Sequence, residues 1–329
     1  MKSIPRLHFA HLPTPIEPMP RLSAALGGPT LLVKRDDQTG LAFGGNKTRK
    51  LEFLLAEAQC LGANHLITAG AIQSNHCRQT AAAAARNGFK CTLVLYVPSS
   101  QAMSASPKSE STGNLLLDEL FGAKIVWVRH AERDQALQDT FQSLEEAGDK
   151  PHLIPYGGSN PTGASAYAFA VKELMDQGVN PNWIVFPSSS GGTHAGLIVG
   201  ARLYEYPGRV LGISVDETVE VLKDRVAELA TTTSAFLGEK QTFEAEDILV
   251  NADYLGGGYG VLGDGEREAI RIFAREEGLL LDPVYTGRAA HGLIDLIRRG
   301  FFTRDQTVLF WHTGGTPALF ADRYANEVV

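Results

Sequence analysis

The feature that most constrains this chain is a repeated order: a short apolar run, a loop of glycine and hydroxyl residues, then a segment of helical period. "NHLITAG", "KCTLVLYV", "KIVWV", "NWIVFP", "RVLGISVD" and "TVLFWH" are short, rich in β-branched residues and bounded by polar turns, as buried strands are. In "NKTRKLEFLLAEAQCLGA", Leu51, Leu54, Leu55 and Ala58 fall at helical spacing, with Gly62 as a stop. Other helical segments follow in "CRQTAAAAARNG", "NLLLDELFGA", "EREAIRIFAREEG" and the run after "YGGSNPTG". Strand, loop and helix in this order call for parallel strands joined by right-handed crossovers, an α/β fold with open twisted sheets. Ligands bind such sheets at the carboxyl ends of the strands, where these loops lie.

At 329 residues the chain has room for two domains or one large α/β unit. A net charge of −7 without a long basic run argues against nucleic acid as a partner. No apolar run is long enough to span a bilayer, and "MKSIPRLHFAHLPTP" lacks the apolar core of a secretory signal. A cytoplasmic location is the expectation. Cys60, Cys77 and Cys91 match no zinc spacing and read as reduced, packed thiols. The proline-rich stretch from Ile4 to Pro20 reads as an extended arm. "PSSQAMSASPKSESTG" is too long and polar for a plain connection, and residues 98–112 suit a lid.

Two loops carry chemistry. "VFPSSSGGTHAGL" leaves an apolar strand and opens a helix, so Ser188, Ser189, Ser190, Gly191, Gly192 and Thr193 offer hydroxyls and free backbone N–H groups at a positive helix end. That suits a phosphate. The lysine spacing of a P-loop and the full dinucleotide glycine pattern are both missing, which points to a small phosphorylated cofactor. The plainer reading is a strand–helix turn that uses glycine for its conformation. "WHTGGTPAL" is a weaker loop of the same kind.

The second is "GGNKTRKLEF". Lys47 stands behind Gly44 and Gly45 at a helix mouth, where the dipole disfavours a cation. A lowered amine pKa makes a lysine nucleophilic toward an aldehyde. An isolated lysine is ordinarily a solvated charge, but this amine with a phosphate loop in the same chain suggests pyridoxal 5'-phosphate (PLP).

"VKRDDQTGLAFGGNKTRKLEF", "TAGAIQSNHCRQTAAAAA" and "LLDPVYTG" closely resemble the PLP-dependent family of D-cysteine desulfhydrase and aminocyclopropane carboxylate (ACC) deaminase. The likeness runs from "LPTPIEPMPRLS" to "HTGGTPALFA". It implies the tryptophan-synthase-β-like fold (fold type II): two open twisted α/β sheets in two domains, and a homodimer. Residues 1–51 plus 157–329 would form the large PLP-binding domain, and 52–156 the small one. The cofactor would sit in the cleft between them. By position, Lys47 would hold PLP covalently and Lys50 would lie near its phosphate. Ser189, Ser190, Gly191, Gly192 and Thr193 match the phosphate loop. Asn75 would contact the cofactor, and Ser74 the substrate carboxylate or a transferred proton. His76 would face the substrate; ACC deaminases carry glutamine at this position and desulfhydrases histidine. Tyr259 and Tyr285 match two active-site tyrosines. From the residues alone, Ser74 and Asn75 equally suit helix caps, Tyr259 suits packing, and His76 and His194 suit supporting polar roles.

ACC deaminases carry glutamate directly after the tyrosine that Tyr285 matches; here Thr286 stands, as in the desulfhydrase branch. A hydroxyl from Thr286 or Thr313 beside the cofactor ring would leave a shallower electron sink than a carboxylate. Opening a cyclopropane needs a deep sink and expelling a thiol needs less. The resemblance therefore implies α,β-elimination of D-cysteine to pyruvate, hydrogen sulfide and ammonia. L-cysteate sulfo-lyase and ACC deaminase remain as alternatives on the same fold, and a PLP-binding regulatory protein as a non-enzymatic one.

Overall fold

A computed structural model of the chain describes residues 2–97 and 111–328. Residues 98–110 of the expected lid lie outside the described residues. The strands, numbered along the chain, are β1 (Ile16–Pro18), β2 (Thr30–Arg35), β3 (His65–Ala71), β4 (Lys90–Val97), β5 (Lys124–Arg129), β6 (Pro151–Leu153), β7 (Trp183–Ser188), β8 (Arg209–Ser214), β9 (Leu249–Asn251) and β10 (Thr307–His312). They form two sheets, in the orders β1-β2-β10-β7-β8-β9 and β5-β4-β3-β6. Apart from β1, which pairs antiparallel with β2, every pairing is parallel. The expected α/β class with two open sheets is what the chain adopts.

The helices are α1 (Pro20–Leu26), α2 (Asn46–Cys60), α3 (Asn75–Asn87), α4 (Gly113–Leu120), α5 (Arg133–Glu146), α6 (Pro161–Asp176), α7 (Gly192–Leu203), α8 (Val219–Phe236), α9 (Asp264–Glu277) and α10 (Thr286–Arg298). Helix α2 runs unbroken across residues 51 and 52. Leu51, Leu54, Leu55 and Ala58 are buried with Leu66, Leu93 and Leu95 of the smaller sheet, as the helical spacing predicts. The other side of α2 faces α6, where Phe53 stacks on Phe169 with ring centroids 5.6 Å apart. The helix that carries Lys47 is therefore wedged between the two sheets. The core of the larger sheet packs Leu31, Val33, Val185, Ile213 and Phe310 against α9 and α10.

A buried ionic cluster fixes the entry of α2. Asp36 is fully buried and accepts hydrogen bonds from Arg49 Nε (2.9 Å) and Nη2 (2.8 Å), Trp311 Nε1 (2.8 Å) and Thr14 Oγ1 (3.0 Å), and also from the Tyr167 hydroxyl (2.5 Å). Arg49 also reaches Glu173, which pairs with the buried Lys34 at 2.6 Å. The adjacent guanidinium holds the Asp36 carboxyl below its ordinary range against the opposing effect of burial.

Candidate active site

The glycine pair does the local work expected of it. Gly44 has φ +65°, and a Cβ there would stand 2.0 Å from the Asp37 carbonyl oxygen. Only glycine lets the chain turn this tightly. Gly45 then caps α2; its N–H donates to the Asp36 carbonyl and to Thr39 Oγ1, both at 2.8 Å. Lys47 follows in the first turn of α2 and lines a cleft between the sheets, where its ammonium has no hydrogen bond or ion pair to a described residue. Its pKa is lowered to about 8. Burial is the cause. Lys50, one turn on, is fully buried and donates to the Gly157 carbonyl at 3.1 Å. Burial first, then the Lys47 charge, drives its pKa well down. No described carboxylate balances either amine. Two buried amines side by side without a counter-ion make a place for an anion.

The anion cradle stands opposite. Gly191 (φ +86°) caps α7. The Ser190 and Ser159 hydroxyls lie 2.8 Å apart, and the Gly192 N–H donates to Ser159 Oγ at 3.1 Å. A Cβ on Gly192 would lie 2.6 Å from Ser159 Oγ and 2.9 Å from Lys50 Nζ. Loop, helix end and Lys50 thus converge on one point. Ser189 turns away and donates to Asp216 at 2.8 Å; Thr193 accepts from Asn46 at 3.0 Å.

A third wall is the mouth of α3. Ser74 caps this helix, its hydroxyl accepting from the Cys77 N–H at 3.1 Å, so the capping reading holds while Ser74 also lines the cleft. Asn75 lines it too, its side chain held by Arg78 (3.0 Å) and Asn114 (2.9 Å). His76 lines it as well, its Nε2 2.9 Å from Thr68 Oγ1. Burial and the two lysines hold its pKa well down, so the ring is neutral. His194 also lines the cleft, held down to about 3 by burial, with Nε2 unpartnered.

The last wall is Tyr285, whose hydroxyl lies 2.6 Å from that of Tyr259. Tyr259 stands behind Tyr285 and does not line the cleft. Burial, before any other cause, pushes both phenols well above their ordinary range, so the pair is protonated at neutral pH. Thr313 lines the cleft and Thr286 does not. Thr286 is fully buried, with its hydroxyl turned to Asp282 at 2.7 Å. The cleft also takes in Asn46, Tyr156 and Gly157, which the sequence reading gave no role. The signal for Tyr156 and Gly157 is the glycine loop "YGGSN", which returns from the small sheet as "SSSGG" returns from the large one; Asn46 lies in the glycine hinge itself.

A recessed amine, an anion cradle on a helix end and a neutral polar wall between two α/β sheets are what PLP requires of its protein. Residues 7–314 match the pyridoxal-phosphate dependent enzyme family, and the chain belongs to that family. More narrowly, it is similar to the solved structure of an ACC deaminase homologue, with 36% identity over 99% of this chain and 96% of that one and a TM-score of 0.88. The fold is shared with threonine deaminase isoform 2 from Solanum lycopersicum (16% identity, 96% of this chain and 82% of that one, TM-score 0.66). It is shared as well with a hydrogen sulfide-producing enzyme from Fusobacterium nucleatum (15% identity, 92% and 96%, TM-score 0.64).

Proposed function

We propose that this PLP-dependent enzyme eliminates sulfide from D-cysteine, giving pyruvate, hydrogen sulfide and ammonia. The observation that carries the reading is the wall beyond Tyr285. No Asp or Glu lines the cleft among the described residues, and the nearby Asp282 carboxylate is used by the N–H groups of Val284, Tyr285 and Thr286 and the Thr286 hydroxyl. What lines the cleft there is Thr313. A cofactor ring beside a hydroxyl is a modest electron sink, suited to a leaving group as willing as a thiol.

When bound, PLP withdraws electrons from the substrate Cα so that its proton can leave. Lys47 would hold the cofactor until the substrate's own amine displaces it, and the freed Lys47 amine, whose pKa burial lowers, would then be placed to take the Cα proton. Ser190, Gly191 and Thr193 of the cleft lining would hold the phosphate, with the Lys50 ammonium close to the Gly192 backbone and Ser159 paired to Ser190. Ser74 and the free N–H groups at the start of α3 hold the substrate carboxylate. The Tyr285 phenol on the cleft wall, paired with Tyr259 and kept neutral by burial, would serve the departing group as a donor. His76 offers a neutral ring to the substrate side. We further propose two domains, 1–51 plus 157–329 and 52–156, and a homodimer.

A pyruvate assay across D-cysteine, L-cysteine, L-cysteate, β-chloro-D-alanine, D-serine and ACC tests this. D-Cysteine should be the best natural substrate, with ACC turnover negligible. Preference for L-cysteate or ACC would replace the proposed reaction.

A further inference from the structure

Tyr259 sits in a stretch with little to hold it. Gly258 (φ +103°) and Gly260 (φ +71°) flank it, and no helix or strand of the described residues covers 252–261. Glycines at such angles leave a segment free in the unfolded chain and give it no side chains to pack. Yet its phenol stands 2.6 Å from that of Tyr285.

The restraint comes from α10. Arg288, fully buried and one turn after Tyr285, donates from Nη1 to the Gly258 carbonyl at 3.1 Å and from Nη2 to the Val261 carbonyl at 3.0 Å. The same Nη1 reaches the Val215 carbonyl at 2.6 Å, next to Asp216, which receives Ser189 of the anion loop. Nε pairs with the buried Glu266 at 2.8 Å, balancing the charge. Between the two Arg288 contacts, the Gly260 carbonyl accepts from the Tyr324 hydroxyl at 2.8 Å and from Arg323 at 3.1 Å. One planar fork thus spans three carbonyls from two loops, a geometry that a lysine ammonium cannot reproduce.

We propose that Arg288 is a positioning residue: it fixes the Tyr259 phenol against Tyr285 and thereby sets the proton-donating pair of the cleft. The role rests on the proposed use of that pair in turnover.

The test uses the holoenzyme with Arg288→Lys, and Glu266→Gln as the milder variant should the first fail to fold. Amide hydrogen exchange is followed over residues 256–261, and kcat and KM are measured for the best substrate of the pyruvate panel. Exchange in that stretch should quicken about tenfold or more while the cofactor absorbance stays unchanged. The kcat should fall about 10- to 100-fold with KM within about twofold, and adding Arg288→Lys to Tyr259→Phe should cost nothing further. Unaltered exchange overturns the proposal. So does a loss that multiplies with that of Tyr259→Phe, or a variant that is less heat-stable at unchanged kcat. Full turnover by Tyr259→Phe alone would instead remove the reading of the pair, and the positioning role would then stand or fall on exchange.

Discussion

The Thr286 hydroxyl donates to Oδ1 of Asp282 at 2.7 Å and accepts from the Asp282 backbone N–H at 2.8 Å. The residue that the resemblance sets against the glutamate of ACC deaminases is thereby tied into the start of α10 and presents no free hydroxyl to the cleft. Thr286→Val should cost about 1–3 kcal/mol in denaturant unfolding, because it leaves a buried N–H unmet, while Thr286→Ser should cost less than half of that. Equal losses in the two variants would show that the hydroxyl has no part in the effect.

Gly192 should tolerate nothing larger. A Cβ there meets Ser159 Oγ at 2.6 Å and Lys50 Nζ at 2.9 Å, so Gly192→Val should weaken cofactor binding about 10- to 100-fold in an absorbance titration. Unchanged affinity would mean that the phosphate lies elsewhere.

The lowered pKa of Lys47 has a definite sign. Its folded value, about 8, lies below the ordinary 10.5, so the unfolded chain binds the extra proton between those values. The cost of burying this amine is complete below pH 8 and is relieved as pH rises from 8 to 10.5. Cofactor-free Lys47→Met should therefore melt higher than the wild type at pH 7, with the gap closing across that window. A gap independent of pH would show that the amine is not strained by burial.

Asp36 anchors the hinge that presents Lys47. Asp36→Asn leaves Arg49 with Glu173 alone, a carboxylate it shares with the buried Lys34, and should cost about 3–5 kcal/mol of unfolding free energy. Cofactor affinity should fall with it, because α2 carries both amines. A change under 1 kcal/mol would mean that Glu173 alone suffices for Arg49.

The sequence shows most where periodicity is strong. Helices α2 and α3 and strand β4 are visible because their apolar residues run long enough to read, and all three are buried over most of their length. Helix α5 is not among the expected elements: Ala136, Leu137, Phe141 and Leu144 do form its half-buried stripe, but they are set among charged and amide residues and none is fully buried. The glycine hinge and the "SSSGG" loop are visible because backbone conformation restricts residue type locally. The orientation of Thr286 is not: it depends on Asp282, four residues away, turning inward as a cap. The Asp36 cluster is hidden for a related reason, since Arg49, Tyr167, Glu173 and Trp311 come together only when α2 and α6 pack against the larger sheet. Arg288 reads as an ordinary surface arginine until the carbonyls of two loops are brought to it.

The claim at the centre is that Lys47, and not the neighbouring Lys50, carries the cofactor. Borohydride reduction of the holoenzyme followed by peptide mapping decides between them. The label should fall on Lys47, and Lys47→Ala should lose the label, the visible cofactor band and turnover while keeping the fold. A label on Lys50, or an active Lys47→Ala enzyme that still binds PLP covalently, would contradict the account.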